Sequence, residues 1–383
     1  VPGAALASGG ITSNVCFETV VETPDVDAAF ARAAHVVEAS FTFGRHTAVT
    51  LEPRAIVADF DPSARQLNVH HGTQTPYQFQ DIYARHFGLS EGKVRVIAPD
   101  VGGSFGMKLH VYNEEMATVA ASIALGRPVR FVADRLESFV SDIHARDHRV
   151  SARMALDADG TILAMDVDDM TQIGAFSTYP RTSAAEGNQV IRLMGAPYRM
   201  PDYRGRLSVV FQNKVQTSQY RAVGHPIACA VTEALVDHAA GVLDLDPFEI
   251  RQRNLLADDA YPQVSATGYR FEKLSHQASL SKLHLLMGYD TLRKEQAALR
   301  KQGIHRGIGI APFVEITNPG ATFYGVGGAR ISAQDGAIVR LTPSGDVHCA
   351  ISVTEQGQGT ETIIAQVVAD QLGVSPDKVK VVT

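Results

Sequence analysis

Two stretches of the chain are versions of one another. "FGLSEGKVRVIA" (87–98) and "LGVSPDKVKVVT" (372–383) match at Gly88 and Gly373, Ser90 and Ser375, Lys93 and Lys378, Val94 and Val379, and Val96 and Val381, all at one offset. Upstream of each lies a helical pattern, and before it a strand ending in a glutamine-bearing loop: "NVHHGTQTP" (68–76) and "CAISVTEQGQG" (349–359). The same strand–loop–helix–strand unit thus appears twice, in the same order, which marks a structural repeat. In the first copy the last strand feeds "PDVGGSFG" (99–106), whereas in the second the sequence ends at Thr383, where that loop would begin. A last strand with nothing to cover it leaves a raw edge. The expectation is a first half over 1–330 and the start of a second over 331–383, cut short or continued in another chain.

Around the repeat, strand and helix signals mix, which gives an α+β (mixed α/β) class. Strands are expected at 66–72, 93–99 and 128–134, with β-rich stretches at 149–175 and 203–213. Helices are expected at 76–88 (Pro76 first, Gly88 last), 113–125, 227–245 and 246–256, the last capped by Asp246 with Pro247 in its first turn. The polar stretch after 256 predicts loops and then a helix near 290–302. A net charge of −6 without a basic run argues against nucleic acid as a main partner. No apolar run reaches the roughly 18 residues that span a bilayer. The first ten residues lack the basic head and apolar core of a secretory leader. Cys16, Cys229 and Cys349 are too few and too far apart for a disulfide framework. They read as small buried hydrophobes in a reducing compartment, hence a cytoplasmic chain. Without a C-x-x-C pair, the chain has no usual spacing for an iron–sulfur cluster or structural zinc.

Four stretches carry chemistry. "GGSFG" (102–106) joins a strand to a helical segment, and amides of such a turn can cradle an anion. Its spacing is neither that of a dinucleotide fingerprint nor that of a P-loop, so a nicotinamide-dependent dehydrogenase is a weak reading. Phe105 inside it must pack or face a ligand. Gln74, in "GTQTP", can donate an amide hydrogen bond to an oxo group or carbonyl. Arg221, in "SQYRAVGHP" (218–226), can grip a carboxylate or polarised carbonyl. The turn Gly357-Gln358-Gly359 precedes a helix, where its backbone could approach a phosphate or a sulfur-bearing cofactor. Taken singly, each of the four also reads as an ordinary turn, loop or surface ion pair. His144 and His148 in "HARDH" are poor metal ligands because their surroundings do not look helical, and no nucleophile elbow occurs.

Read in order, "HTAVTLEPRAIVADFD" (46–61), "GTQ" (72–74), "GGSFGMK" (102–108), "GRPVRFVADRLE" (126–137), "GAPYRMPDYR" (195–204), "QYRAVGHPIACAVTEALVDHAA" (219–240), "LDPFEIRQRNLL" (245–256) and "GQG" (357–359) form a specific set. The set resembles the molybdopterin-binding large subunit of the molybdenum hydroxylases, the xanthine dehydrogenase, aldehyde oxidoreductase and carbon monoxide dehydrogenase family. The resemblance implies that large-subunit fold, with the cofactor between two halves. Gln74 would then hydrogen-bond the apical oxo ligand, Gly103, Ser104, Phe105 and Gly106 would line the metal site, and Arg221 would orient substrate. Gly357, Gln358 and Gly359 would contact the pterin. Molybdenum would be held through the pterin dithiolene, with no protein ligand, the cofactor being molybdopterin or its cytosine dinucleotide form. The implied reaction is hydroxylation of a carbon beside nitrogen or oxygen, with electrons leaving to a 2Fe–2S subunit and an FAD subunit. A complementary C-terminal molybdopterin-binding segment or subunit is a further implied partner. The family's general-base Glu motif has no counterpart here. Ala222 stands where carbon monoxide dehydrogenases carry a copper-holding Cys, and Leu109 where purine oxidisers carry a Glu. Leu109 and Val223 together suggest an apolar entrance suited to an aldehyde or aromatic N-heterocycle. The alternative is a catalytically incomplete fragment or degenerate relative that serves only as a binding or assembly module.

Overall fold

The computed structural model describes residues 12–317 and 335–383. Its larger body is a five-stranded sheet in the order β1 (Val15–Glu22), β11 (Asp202–Phe211), β10 (Ile162–Ile173), β9 (His148–Leu156) and β2 (His35–Phe43). β10 and β11 run parallel, and the other neighbours antiparallel. In β9, "HRVSARMAL", the period-2 pattern buries Val150, Ala152 and Met154 and exposes Arg149, Ser151 and Arg153. One face of the sheet is covered by α5 (Ala185–Leu193), α6 (His225–Val242) and α7 (Pro247–Asn254), packed over Val150, Met154 and Val167. On the other, Ala29 of the short α1 (Val26–Arg32) sits against Ala155 and Ala164. Asp246 caps α7 by accepting the Phe248 N–H at 2.8 Å, as its position before Pro247 predicts. The bend between β8 (His144–Ala145) and β9 enters the large sheet, and β8 pairs with β3 (His46–Thr47).

The repeat is visible in three dimensions. In the first unit, β4 (Ala55–Asp61), β5 (Gln66–His71), β6 (Val94–Ile97) and β7 (Val129–Val132) form a sheet in the order β6-β5-β4-β7, backed by α2 (Pro76–Phe87) and α3 (Asn113–Leu125). In the second, β14 (Ala337–Leu341), β15 (Val347–Ile351) and β16 (Val379–Val382) form a three-stranded sheet against α10 (Thr360–Leu372). β5 pairs parallel with β6 and β15 with β16, while β4 and β14 each join antiparallel. The two helices stop at Gly88 (φ 65°) and Gly373 (φ 67°), in the left-handed region where glycine carries no Cβ penalty. Among the described residues, the second unit has no counterpart of α3 and β7. β14 is exposed along its length, with Ile338 at 73% and Leu341 at 65%.

Two expectations need correction. The region after residue 256 holds not only α9 (Tyr289–Arg300) but also α8 (His276–Met287), besides a small hairpin of β12 (Gln263–Val264) and β13 (Arg270–Phe271). α8 escaped notice because only Leu280 is buried while Leu283, Leu285 and Leu286 face outward, so it has no single apolar stripe. Of the cysteines only Cys349 is buried; Cys229 is half-buried and Cys16 exposed on the edge strand β1. The expected boundary at 330 and 331 lies outside the described residues. The remaining helix, α4 (Arg135–Ser141), starts with a capping box between Asp134 and Glu137. Among the described residues no single helix is long and apolar enough to cross a membrane. None groups three or more His, Cys, Asp or Glu side chains for a metal ion. His144 and His148 lie on β8 and β9, not on one helix face.

Candidate functional site

The glycine loop after β6 is a close-packed junction. Gly103 and Gly106 take φ 93° and 100°, and Phe105 between them takes φ 51°. A Cβ on Gly106 would lie 2.5 Å from the Gln219 carbonyl oxygen, so glycine is required there both by conformation and by contact. Three of the loop's amides serve protein acceptors. Gly102 donates to the Glu52 carboxylate, Gly103 to the Val101 carbonyl at 2.8 Å, and Gly106 to Gln74 Oε1 at 3.1 Å. α3 begins only at Asn113, beyond a 3-10 turn at Met107–Leu109. These three amides thus act as a tight structural turn, one of the two readings open from the sequence. Glu52 also pairs with the buried Lys108 at 3.1 Å, where burial lowers the ammonium's pKa and Glu52 opposes it.

Gln74, Phe105 and Arg221 come together here from three separate loops. The Gly106 N–H can only donate, so it fixes the Gln74 side-chain oxygen toward itself. Gln74 Nε2 is left without an acceptor among the described residues. The Gln74 N–H and the Thr73 hydroxyl both donate to the Lys108 carbonyl, at 3.2 and 2.8 Å, which fastens the β5–α2 loop to the glycine loop. Phe105 is 41% exposed, and its carbonyl accepts the Arg221 N–H at 2.8 Å. The Arg221 side chain is exposed, and its guanidinium has no partner among the described residues. Leu109, by contrast, is buried and faces no open entrance; of the two expected apolar residues only Val223 is partly exposed.

The second unit reaches this junction through residues beside those expected. The Val101 N–H donates to the Glu355 carbonyl at 3.2 Å, and the Ser104 hydroxyl to Gln356 Oε1. Gln358 is exposed, with its Nε2 folded back onto its own turn, donating to the Thr354 carbonyl at 2.9 Å and to Thr360 Oγ1 at 2.8 Å. Gly357 (φ 95°) and Gly359 (φ 81°) do bend the chain ahead of α10. Their N–H groups, however, bond the Glu355 carboxylate at 2.8 and 3.2 Å, as does that of Glu361 at 3.1 Å. Glu355 therefore fastens the turn from within through these three amides. Gln356 could have been found as the other glutamine of "EQGQG", and Glu52 within "TLEPR".

Beneath the Arg221 loop lies a buried charge network with no sequence motif. Glu186, in the first turn of α5, accepts the Arg146 N–H at 2.9 Å, pairs with its guanidinium, and accepts the Gly224 N–H at 3.3 Å. His148 Nδ1 lies 2.9 Å from Asp169 Oδ1, and its Nε2 lies 3.6 Å from Glu186. Burial works against the His148 charge, but Asp169 and then Glu186 overcome it and raise its pKa to about 9. Burial likewise opposes the Glu186 charge, yet His148 and Arg146 hold its pKa at about 2. Arg146 reaches on with Nη2 to the Arg221 carbonyl at 3.0 Å.

The junction thus presents an amide donor and a guanidinium, both without partners among the described residues, on backbone fixed from below. Such donors suit an oxygen-rich or anionic ligand. By the chemistry of these two donors, the residues fit a molybdenum–pterin group, whose oxo and phosphate oxygens accept hydrogen bonds. A family profile described as a molybdopterin cofactor-binding domain matches residues 9–255, and another of the same description matches 282–383. The chain is 31% identical to the nicotine 6-hydroxylase large subunit of Paenarthrobacter nicotinovorans over 383 residues, all of this chain and 47% of that one. It is 29% identical to the carbon monoxide dehydrogenase large chain of Hydrogenophaga pseudoflava, over 93% of this chain and 45% of that one. Among solved structures, quinoline 2-oxidoreductase from Pseudomonas putida 86 superposes with a TM-score of 0.92 at 33% identity, covering 99% of this chain and 48% of that one. The chain spans about half the length of the curated relatives it matches.

Proposed function

Because this chain belongs to the molybdopterin-binding large-subunit family of molybdenum oxidoreductases, we propose that it is the cofactor- and substrate-positioning part of a hydroxylase for an aldehyde or an aromatic N-heterocycle. The observation that carries this reading is the convergence of Gln74, Phe105 and Arg221 through the Gly106 and Arg221 N–H bonds. The similarity to enzymes named for nicotine and quinoline supports the N-heterocycle. Ala222 offers no thiol beside Arg221, which speaks against carbon monoxide.

When bound, the molybdenum cofactor, in its molybdopterin or cytosine dinucleotide form, supplies the activated oxygen and the electron sink. This chain's residues do the rest by position. Gln74 Nε2 would donate a hydrogen bond to the cofactor's oxo group. Arg221 places its guanidinium where charge develops on the substrate. Phe105, partly exposed, gives a flat ring an aromatic edge to rest against. Gly103, Ser104 and Gly106 would hold the loop that lines the metal, and the Gly357-Gln358-Gly359 turn would help hold the pterin. Electrons leave to 2Fe–2S and FAD partner subunits in the cytoplasm, a setting that suits the free Cys16 and Cys229 thiols. A complementary molybdopterin-binding segment completes the second unit.

The test uses the assembled enzyme. Molybdenum and released pterin nucleotide are quantified, and dye-linked oxidation of quinoline and benzaldehyde is followed. One molybdenum per large subunit with turnover of either compound is expected. Stoichiometric cofactor without turnover of any aldehyde or heterocycle would favour the binding-module reading, and no molybdenum would overturn both.

A further inference from the structure

We propose that Glu186 is a positioning residue for this site, holding the main chain of the Arg221 loop against the glycine loop through Arg146. The inference rests on the reading of Arg221 given above. Glu186 is 2% exposed and Arg146 5%, yet they serve an exposed loop. One continuous path runs outward from them. Glu186 grips the Arg146 guanidinium, Arg146 Nη2 donates to the Arg221 carbonyl, and the Arg221 N–H donates to the Phe105 carbonyl. One residue further on, the Gly106 N–H donates to Gln74. Both Arg221 backbone bonds therefore lie on this path.

A second grip is independent of Arg146. Glu186 Oε1 takes the Gly224 N–H, and a Cβ on Gly224 would sit 2.7 Å from the Glu186 carbonyl oxygen. The Arg221 loop is thus pressed directly onto the first turn of α5. Arg146, Asp147 and Ala222 all take left-handed backbone, with φ of 66°, 73° and 65°. Non-glycine residues stay there only where their surroundings over-determine them. An ion pair that served folding alone would not need to send its second guanidinium arm to the carbonyl of an outward-facing residue. His148 and Asp169 close the network from beneath and keep the Glu186 carboxylate paired on both sides.

Removing the Glu186 charge would leave Arg146 and His148 facing each other without an anion between them. Arg146 would then withdraw from the Arg221 carbonyl. In the molybdenum-loaded, assembled enzyme, Glu186→Gln is expected to lower kcat by about 10- to 50-fold with KM changed less than about 2-fold. Arg146→Lys keeps the charge but loses the fork, so it cannot serve Glu186 and Arg221 together. It carries the same expectation should Glu186→Gln fail to fold. Amide hydrogen exchange over residues 219–224 should quicken in either variant while molybdenum content holds. In an Arg221→Ala background, Glu186→Gln should cost less than about 2-fold more. Unchanged exchange over 219–224 would overturn the proposal, as would equal losses in both backgrounds with falling molybdenum content. If Arg221→Ala alone turned over normally, the reading of Arg221 would fail, and the exchange measurement would still decide whether Glu186 holds the loop.

Discussion

A single amide at position 74 divides its work between two partners: its oxygen fixes the glycine loop and its nitrogen faces outward. Gln74→Glu keeps an acceptor for the Gly106 N–H and replaces the outward donor with a negatively charged acceptor. Turnover should fall about 10- to 100-fold with the melting temperature nearly unchanged, a contrast read by steady-state kinetics beside calorimetry. Gly106→Ala should do the reverse. It forces a Cβ toward the Gln219 carbonyl at φ 100°, so about 1–3 kcal/mol of stability should be lost, seen as a melting point lower by several degrees. At this scale the sequence was readable where a side chain stands inside a compact motif, as Gln74, Phe105 and Arg221 do. Glu52, Gln356 and Glu186 were not, because each acts through a partner distant in the chain, and no local pattern encodes that partner.

Among elements, the meeting of the β8–β9 bend, β10 and α5 sets a pH dependence. His148 faces Asp169 and Thr171 from β10 and Glu186 from α5, with Arg146 at the far side of Glu186. Its pKa is raised from the ordinary 6.5 to about 9, so its contribution is complete below about 6.5 and is lost as pH rises through about 9. The Glu186 pKa is depressed from 4.5 to about 2, so its contribution is present above 4.5 and is lost as pH falls through about 2. Stability should therefore decline on the order of 1–3 kcal/mol between pH 7 and about 10, and His148→Gln should start lower but lose that slope. Thermal unfolding of both proteins across this range checks it. α2 was legible from Pro76 at its start and Gly88 at its end, and β9 as part of a β-rich stretch. α8 was not, because most of its leucines point away from the core.

Over the whole molecule, the first unit serves as a template for what the second lacks. α3 and β7 cover β4, whereas nothing among the described residues covers β14. The complementary segment proposed above should therefore bring a helix and an antiparallel strand to β14. Hydrogen exchange of residues 337–341 should slow by at least about tenfold once that segment is added, and no slowing would show that it docks elsewhere. The repeat itself was plain in the sequence, whereas the bridge from Ser104 to Gln356 was not, since it joins residues that no shared motif links. A last consequence follows from the way the two glycine turns use their own amides. Several of those amides are held by Glu52, Gln74 and Glu355, which fixes the frame and leaves the outward side chains as its exchangeable part. A lineage can then exchange those groups one at a time and change its diet while the frame beneath stays intact, so closely related folds can come to feed on quite different molecules.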